Sequence, residues 1–202
     1  MAIRVLLAED QQILREALVS LLDLEPDIEV VATAERGDTV IGLVETSKPG
    51  TVLLDIGLPG ISGLSVAKEI RQRFPDVRIL LLTSLDKPGI VREALSAGVQ
   101  GFLPKGISTA ELVDGIRQIS MGKPVVSPTL LSAALSVGDN PLTPRERSIL
   151  QLAAAGTPPP EIAQQLFLAE GTVRNRITGI IGKLSARNAT DAVRIAQEAG
   201  WI

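Results

Sequence analysis

An α/β domain built on a doubly wound parallel sheet, followed by a small all-α domain of four helices, is predicted by three observations. Short apolar runs alternate five times with amphipathic stretches over residues 1–121. Some of those runs, such as Ile79-Leu80-Leu81-Leu82, are unbroken aliphatics, which suit strands covered on both faces. From Pro141 onward no strand pattern appears and only helical spacing remains.

The elements follow in chain order. Ile3–Ala8 reads as a strand. Ile13, Leu14, Ala17, Leu18, Leu21 and Leu22 then recur at helical spacing. Ile28–Ala34 and 51–54 read as strands around a helix near 38–47. A helix at 64–73 precedes the strand at 79–82. A helix at 89–97, a short strand at 101–103 and a helix at 109–121 close the alternating part. Residues 122–140 carry Gly, Pro and Ser and read as a linker, with a helical turn or two at 130–135. Four helices are predicted beyond it, at 145–155, 161–166, 172–184 and 189–199. The division is therefore a domain at 1–121, a linker at 122–140 and a second domain at 141–202.

Composition removes whole classes of chemistry. The 202 residues include no Cys, His or Tyr, and the aromatics are three Phe and one Trp. That excludes Cys or His zinc sites, Cys or Ser–His catalysis and disulfide frameworks. It also argues against single-strand nucleic-acid platforms, which stack bases on aromatic rings. No segment has the order of a signal peptide and no apolar run approaches a membrane span, so a cytoplasmic protein without membrane insertion is expected. Residues 1–138 carry 13 Lys+Arg and 17 Asp+Glu, net −4, whereas residues 139–202 carry 7 and 6, net +1. The acidity belongs to the first domain.

In open parallel sheets, ligands bind beyond the carboxyl ends of the strands. Four of the five predicted strands deliver a polar or charged residue there: Glu9-Asp10, Asp55, Thr83-Ser84 and Lys105. If the first strand neighbours the third, three carboxylates converge. A hard divalent cation such as Mg2+ relieves their repulsion, and the Lys105 ammonium and Thr83 hydroxyl suit phosphoryl oxygens. Such a set supports phosphoryl transfer onto an aspartate. A lone Asp after a strand is more often a turn or cap residue, and it is the joint pattern that points to a site.

The first domain resembles a bacterial response-regulator receiver over residues 2–121. The resemblance lies in Leu53-Leu54-Asp55-Ile56-Gly57-Leu58-Pro59-Gly60-Ile61-Ser62-Gly63, in Ala8-Glu9-Asp10, in Leu81-Leu82-Thr83-Ser84 and in Gly98-Val99-Gln100-Gly101-Phe102-Leu103-Pro104-Lys105. It implies strand order 2-1-3-4-5, phosphorylation of Asp55, and Mg2+ held by Glu9, Asp10, Asp55 and the Gly57 carbonyl. It further implies that Thr83 and Lys105 sense the phosphoryl group and that Phe102 is a switch. Phe102 lacks the hydroxyl of the commoner Tyr, and plain core packing is the competing account. Gly106 follows the Lys where Asp or Pro often stands. Gly57 and Leu85 occupy positions whose side chains orient a hydrolytic water in faster relatives, so slow autodephosphorylation is expected.

In the second domain Thr143, Pro144 and Glu146 form an N-cap, a first-turn proline and a capping box. The helix at 172–184 puts Val173, Ile177, Ile180, Ile181 and Leu184 on one face and Arg174, Asn175 and Thr178 on the other. Arg suits guanine edges, Asn adenine and Thr the thymine methyl, although polar residues opposite an apolar stripe are also an ordinary solvated face. Residues 141–202 resemble the LuxR-type helix-turn-helix of the NarL/FixJ class. The resemblance implies that Val173 packs inward, that Arg174, Asn175 and Thr178 face base edges of double-stranded DNA, and that Thr172, Arg176 and Lys183 approach phosphates. Pro158-Pro159-Pro160 replaces the usual Ser-Asn-Lys, which puts the helix start at Pro160 and weakens phosphate contact there. Glu9-Asp10-Gln11-Gln12, Lys87-Pro88-Gly89 and Gly200-Trp201-Ile202 resemble DesR-type regulators, with Trp201 read as a plug on the C-terminal core.

The function expected is a regulator that is phosphorylated on Asp55 by a sensor histidine kinase, then forms a homodimer and binds promoter DNA. Subgroup resemblance points to the first and fifth helices as the dimer face. A chain without His cannot supply its own phosphohistidine. Two rival readings compete. A haloacid-dehalogenase-type phosphatase needs a second Asp two residues after the nucleophile, and Gly57 stands there. A regulator that binds DNA without phosphorylation is disfavoured by the complete acidic cluster with Thr83 and Lys105.

Overall fold

The computed structural model describes residues 2–83, 88–96, 98–136 and 138–202. Ser84, Leu85, Lys87 and the final residue of the predicted 89–97 helix lie outside the described residues. Two compact units are present, one from Met1–Leu85 and Glu93–Ser132, the other from Asp86–Arg92 and Ala133–Ile202.

Residues 3–120 alternate β1 (Ile3–Ala8), α1 (Gln12–Leu22), β2 (Ile28–Ala34), α2 (Gly37–Ser47), β3 (Thr51–Asp55), α3 (Gly63–Arg73), β4 (Arg78–Thr83), α4 (Pro88–Ser96), β5 (Gly101–Pro104) and α5 (Thr109–Ser120). The sheet is parallel, in the order β2-β1-β3-β4-β5-β6. Its first five strands are those expected. The sixth, β6 (Val125–Val126), lies in the stretch read as a linker. Two residues carry no periodicity, so their pairing with Gly101 and Phe102 is invisible in the sequence.

Every residue of β3 is buried, as a strand covered on both faces requires. Alternate residues Val5, Leu7, Leu53, Leu80, Leu82 and Leu103 form one core with Leu18 and Leu22 of α1 and Leu112, Ile116 and Ile119 of α5. The intervening Leu6, Val52, Leu54, Leu81 and Phe102 are equally buried and point to the opposite face. α5 opens with a capping box between Ser108 and Glu111.

The second unit contains α7 (Pro144–Ala154), α8 (Pro159–Gln165), α9 (Glu170–Lys183) and α10 (Ala189–Glu198). α6 (Pro128–Ser136) precedes them and is longer than the turn or two expected. Leu142, Ile149, Leu150, Ile162, Val173, Ile180, Leu184, Ala192 and Ala196 form the core, with Trp201 and Ile202 packed against it. α8 begins at Pro159, one residue before the predicted start. Pro158 takes the extended conformation that a following proline demands and serves as N-cap, which leaves Pro159 and Pro160 in the first turn. Among the described residues, no helix is long and apolar enough to cross a membrane.

Candidate phospho-acceptor and DNA-reading sites

The strand order reverses between β1 and β3, which makes the crevice beyond their carboxyl ends. The register sets Ala8 beside Leu54 and Asp55 beside Leu82, so Glu9 and Asp55 leave adjacent strands at the same level. Glu9 is wholly buried, Asp55 nearly so, and Asp10 is exposed. One carboxylate oxygen from each of Glu9, Asp10 and Asp55 lies within 4.8 Å of the other two.

Lys105 follows β5, and its backbone N–H donates to the Thr83 carbonyl (2.9 Å). Its Nζ lies 3.0 Å from Asp55 Oδ2 and 2.8 Å from Glu9 Oε2, and it donates to Glu9 Oε1 (3.1 Å). Burial alone would lower the Lys105 pKa, but the bonds to Glu9 and Asp55 raise it above its ordinary value. Burial is also the main reason the Glu9 carboxyl is raised; the Lys105 contact opposes it and the Asp55 charge adds to it. Thr83, at the end of β4, is buried beside this group of strand ends. Gly57 lies next to the same carboxylate, since a Cβ there would sit 3.4 Å from Asp55 Oδ2. Phe102 is fully buried, and its carbonyl accepts from Ser127 N (3.1 Å).

Glycine at position 63 has a steric cause. A Cβ there would fall 2.0 Å from the Asp55 carbonyl oxygen, so α3 can begin this close to the acceptor only without a side chain. Arg15 of α1 donates from Nη1 to the Glu9 carbonyl (2.7 Å) and the Asp10 carbonyl (3.3 Å), fixing the backbone that carries both carboxylates. The sequence held no signal for Arg15, whose bonds form only once α1 folds back on β1.

The carboxylates also meet the test for a hard cation. Glu9 Oε2 is buried and makes no hydrogen bond of good geometry, although the Lys105 charge is near. Oxygen donors alone, one of them incompletely satisfied, are what Mg2+ takes.

In the second unit, Val173 is fully buried, and Arg174, Asn175, Arg176 and Thr178 are exposed on α9, with Thr172 partly so. Three of the predicted DNA contacts have protein partners. Lys183 Nζ donates to Glu146 Oε2 (2.7 Å), and Arg174 donates to Glu170 Oε1 from Nε (2.8 Å) and Nη2 (2.6 Å). Thr178 Oγ1 donates to the Arg174 carbonyl (3.1 Å). The spacing of four between Glu170 and Arg174 is readable in the sequence; the contact of Lys183 with a residue 37 positions away is not.

Residues 5–117 match the response regulator receiver domain family, and residues 140–196 match the bacterial regulatory proteins of the luxR family. The chain is 42% identical over 200 residues to the uncharacterized transcriptional regulatory protein YvfU of Bacillus subtilis, covering 99% of this chain and 100% of the relative. It is 40% identical over 200 residues to the transcriptional regulatory protein DesR of the same organism, covering 99% of each. Among solved structures it resembles the response regulator ChrA of a heme-sensing two-component system, at 30% identity and TM-score 0.60 over 100% of this chain and 99% of that one. RcsB of Salmonella typhimurium shares the fold, with TM-score 0.75 at 22% identity over 98% of each chain.

Proposed function

The chain is a two-component response regulator of the NarL/FixJ class, a receiver domain joined to a LuxR-type helix-turn-helix, and we propose that Asp55 is its phospho-acceptor. The observation that carries this reading is the meeting of Glu9, Asp10 and Asp55 with Lys105 Nζ 3.0 Å from Asp55. The chain has no His of its own, so the phosphoryl group comes from another protein, which we read as a sensor histidine kinase, or from a small phosphodonor. An Asp55 carboxylate oxygen forms the bond to phosphorus as the donor's P–N bond breaks, and the imidazole leaves. Lys105 and Thr83 then hold phosphoryl oxygens. Glu9, Asp10, Asp55 and the Gly57 carbonyl would hold Mg2+, which supplies neutralisation of the charge brought into the site.

Residues 1–121, extended by the sheet strand β6, accept the signal, the rest of 122–140 connects, and 141–202 bind DNA in the cytoplasm. Phe102 couples the acceptor to the far face of the sheet. Phosphorylation favours a homodimer whose two α9 helices enter paired half-sites, with Arg174, Asn175 and Thr178 on bases and Thr172 and Arg176 on phosphates. Lys183 reaches a phosphate only by leaving Glu146. Gly57 offers no side chain to orient a hydrolytic water, so the aspartyl phosphate turns over slowly.

Acetyl phosphate with Mg2+, followed by intact mass and Phos-tag gels, tests the reading. Wild type should gain one phosphoryl group that persists well beyond seconds, and Asp55→Ala should gain none. A wild type without an adduct would instead indicate DNA binding independent of phosphorylation.

A further inference from the structure

Glu170, Arg174 and Thr178 follow one another at intervals of four, so they share one exposed line along α9. Arg174 spends both Nε and Nη2 on a single oxygen, Glu170 Oε1. The two side chains are 62% and 46% exposed. A solvated pair of this kind adds little to stability, so its position matters more than its strength.

That position is the start of the helix whose exposed face carries the base-reading side chains. Among the described residues Glu170 Oε2 has no hydrogen-bond partner. A G·C pair displays guanine O6 and N7 as acceptors and cytosine N4 as a donor, side by side in the major groove. An arginine and a glutamate already joined can meet all three, the guanidinium giving to guanine and the second carboxylate oxygen taking from cytosine. An adenine sets its N6 donor where the guanidinium needs an acceptor. A phosphate repels the carboxylate and meets a guanidinium whose charge is already answered.

We propose that Glu170 is a specificity-determining residue of the DNA contact: it holds Arg174 toward bases, withholds it from phosphates and offers its free oxygen to a cytosine. The proposal rests on reading α9 as the groove-facing helix. The alternative role for Glu170 is a first-turn carboxylate that complements the helix dipole, which needs charge but not reach. Aspartate separates the two, because it keeps the charge in the first turn but is one methylene too short for Arg174.

The test is selection from a library of randomised DNA duplexes by the full-length, Asp55-phosphorylated protein, as wild type, Glu170→Ala, Glu170→Asp and Arg174→Ala. Wild type should enrich sites with a fixed G·C position. Glu170→Ala and Glu170→Asp should both lose about tenfold preference there. On an unselected duplex both should bind more tightly than wild type. For Glu170→Ala, which also removes a charge, the slope of log K against log salt should steepen by about one per protomer. A wild-type site without that G·C position overturns the proposal, as does Glu170→Asp behaving as wild type. If Glu170→Ala keeps the preference while Arg174→Ala loses it, this proposal alone fails. If Arg174→Ala also keeps it, the groove-facing reading of α9 fails.

Discussion

Oε2 of Glu146 accepts from Thr143 N (2.8 Å), Thr143 Oγ1 (2.9 Å) and Lys183 Nζ (2.7 Å), so one oxygen closes the start of α7 and ties down the end of α9. Burial works to raise its pKa, but Lys183 and Thr143 prevail and hold it below the usual carboxylate range. Asp191, at the start of α10, is held well below that range by Arg187 and Arg194. A carboxylate whose pKa is lower folded than unfolded adds stability above its unfolded value, and that stability is lost as pH falls through the folded value. The chain's one Trp, Trp201, packs on this core and reports its unfolding. The urea midpoint followed by Trp fluorescence should therefore drop between about pH 5 and about pH 3. Glu146→Gln, which keeps an acceptor but no charge, should flatten part of that drop; an unchanged wild-type midpoint across the range would contradict the assignment. The capping box was legible in the sequence because its partners lie within four residues. Lys183 on Glu146 was not, because that contact needs two distant elements already packed; Lys105 was legible at the carboxylate edge from the strand ends, but its ion pairs with Glu9 and Asp55 were not.

At the scale of elements, α8 shows how a sequence feature changes a binding surface. Pro158 is its N-cap, and Pro159 and Pro160 fill the first turn, so the helix start lacks the N–H groups that commonly meet a phosphate. The first donors, Glu161 N and Ile162 N, are both turned back to the Pro158 carbonyl (3.0 Å each). Cations elsewhere in this unit are already engaged: Arg174, Lys183, Arg187 and Arg194 all sit in ion pairs. Few charges remain to displace counterions, so the salt dependence of DNA binding is expected to be shallow. Pro160→Lys should steepen the slope of log K against log salt by about 0.9 per protomer, measured by anisotropy on one duplex at several salt concentrations; an unaltered slope would show that this end of α8 stays clear of the backbone. The three prolines were plain in the sequence, yet the helix starts one residue earlier than they suggested. Residue preferences before proline disfavour the helical region without forbidding it, and a first-turn position sacrifices no internal hydrogen bond. β6 was illegible for another reason. Its pairing is set by Val125 N on the Gln100 carbonyl (2.8 Å) and Ser127 N on the Phe102 carbonyl (3.1 Å), bonds that exist only once β5 is in place.

For the whole molecule, the proposed function requires a charge at one sheet edge to bring two DNA-reading helices together. Paired half-sites demand a two-fold dimer, and a two-fold contact must use one surface patch on both copies. α1 offers such a patch. Ile13, Ala17 and Ser20 lie exposed on one line, and Leu24 continues it just past the helix end. Ile13 is 86% and Leu24 81% exposed, high values for large aliphatics, and Met121 at the end of α5 is 63% exposed. Small residues between two large ones let a second α1 approach closely, and burying the aliphatics supplies the drive. On the proposed reading, the acidic Asp55 edge would sense and the apolar anchors on α1 would assemble. Ile13→Glu combined with Leu24→Lys should leave phosphoryl uptake at Asp55 intact, because neither residue is part of that site. In sedimentation, the phosphorylated variant should show a dimer Kd at least tenfold weaker, about 1.4 kcal/mol or more. Cooperative binding to a paired site should fall with it, while binding to a single half-site stays. A phosphorylated variant that dimerises as wild type would move the two-fold contact to another face of the receiver.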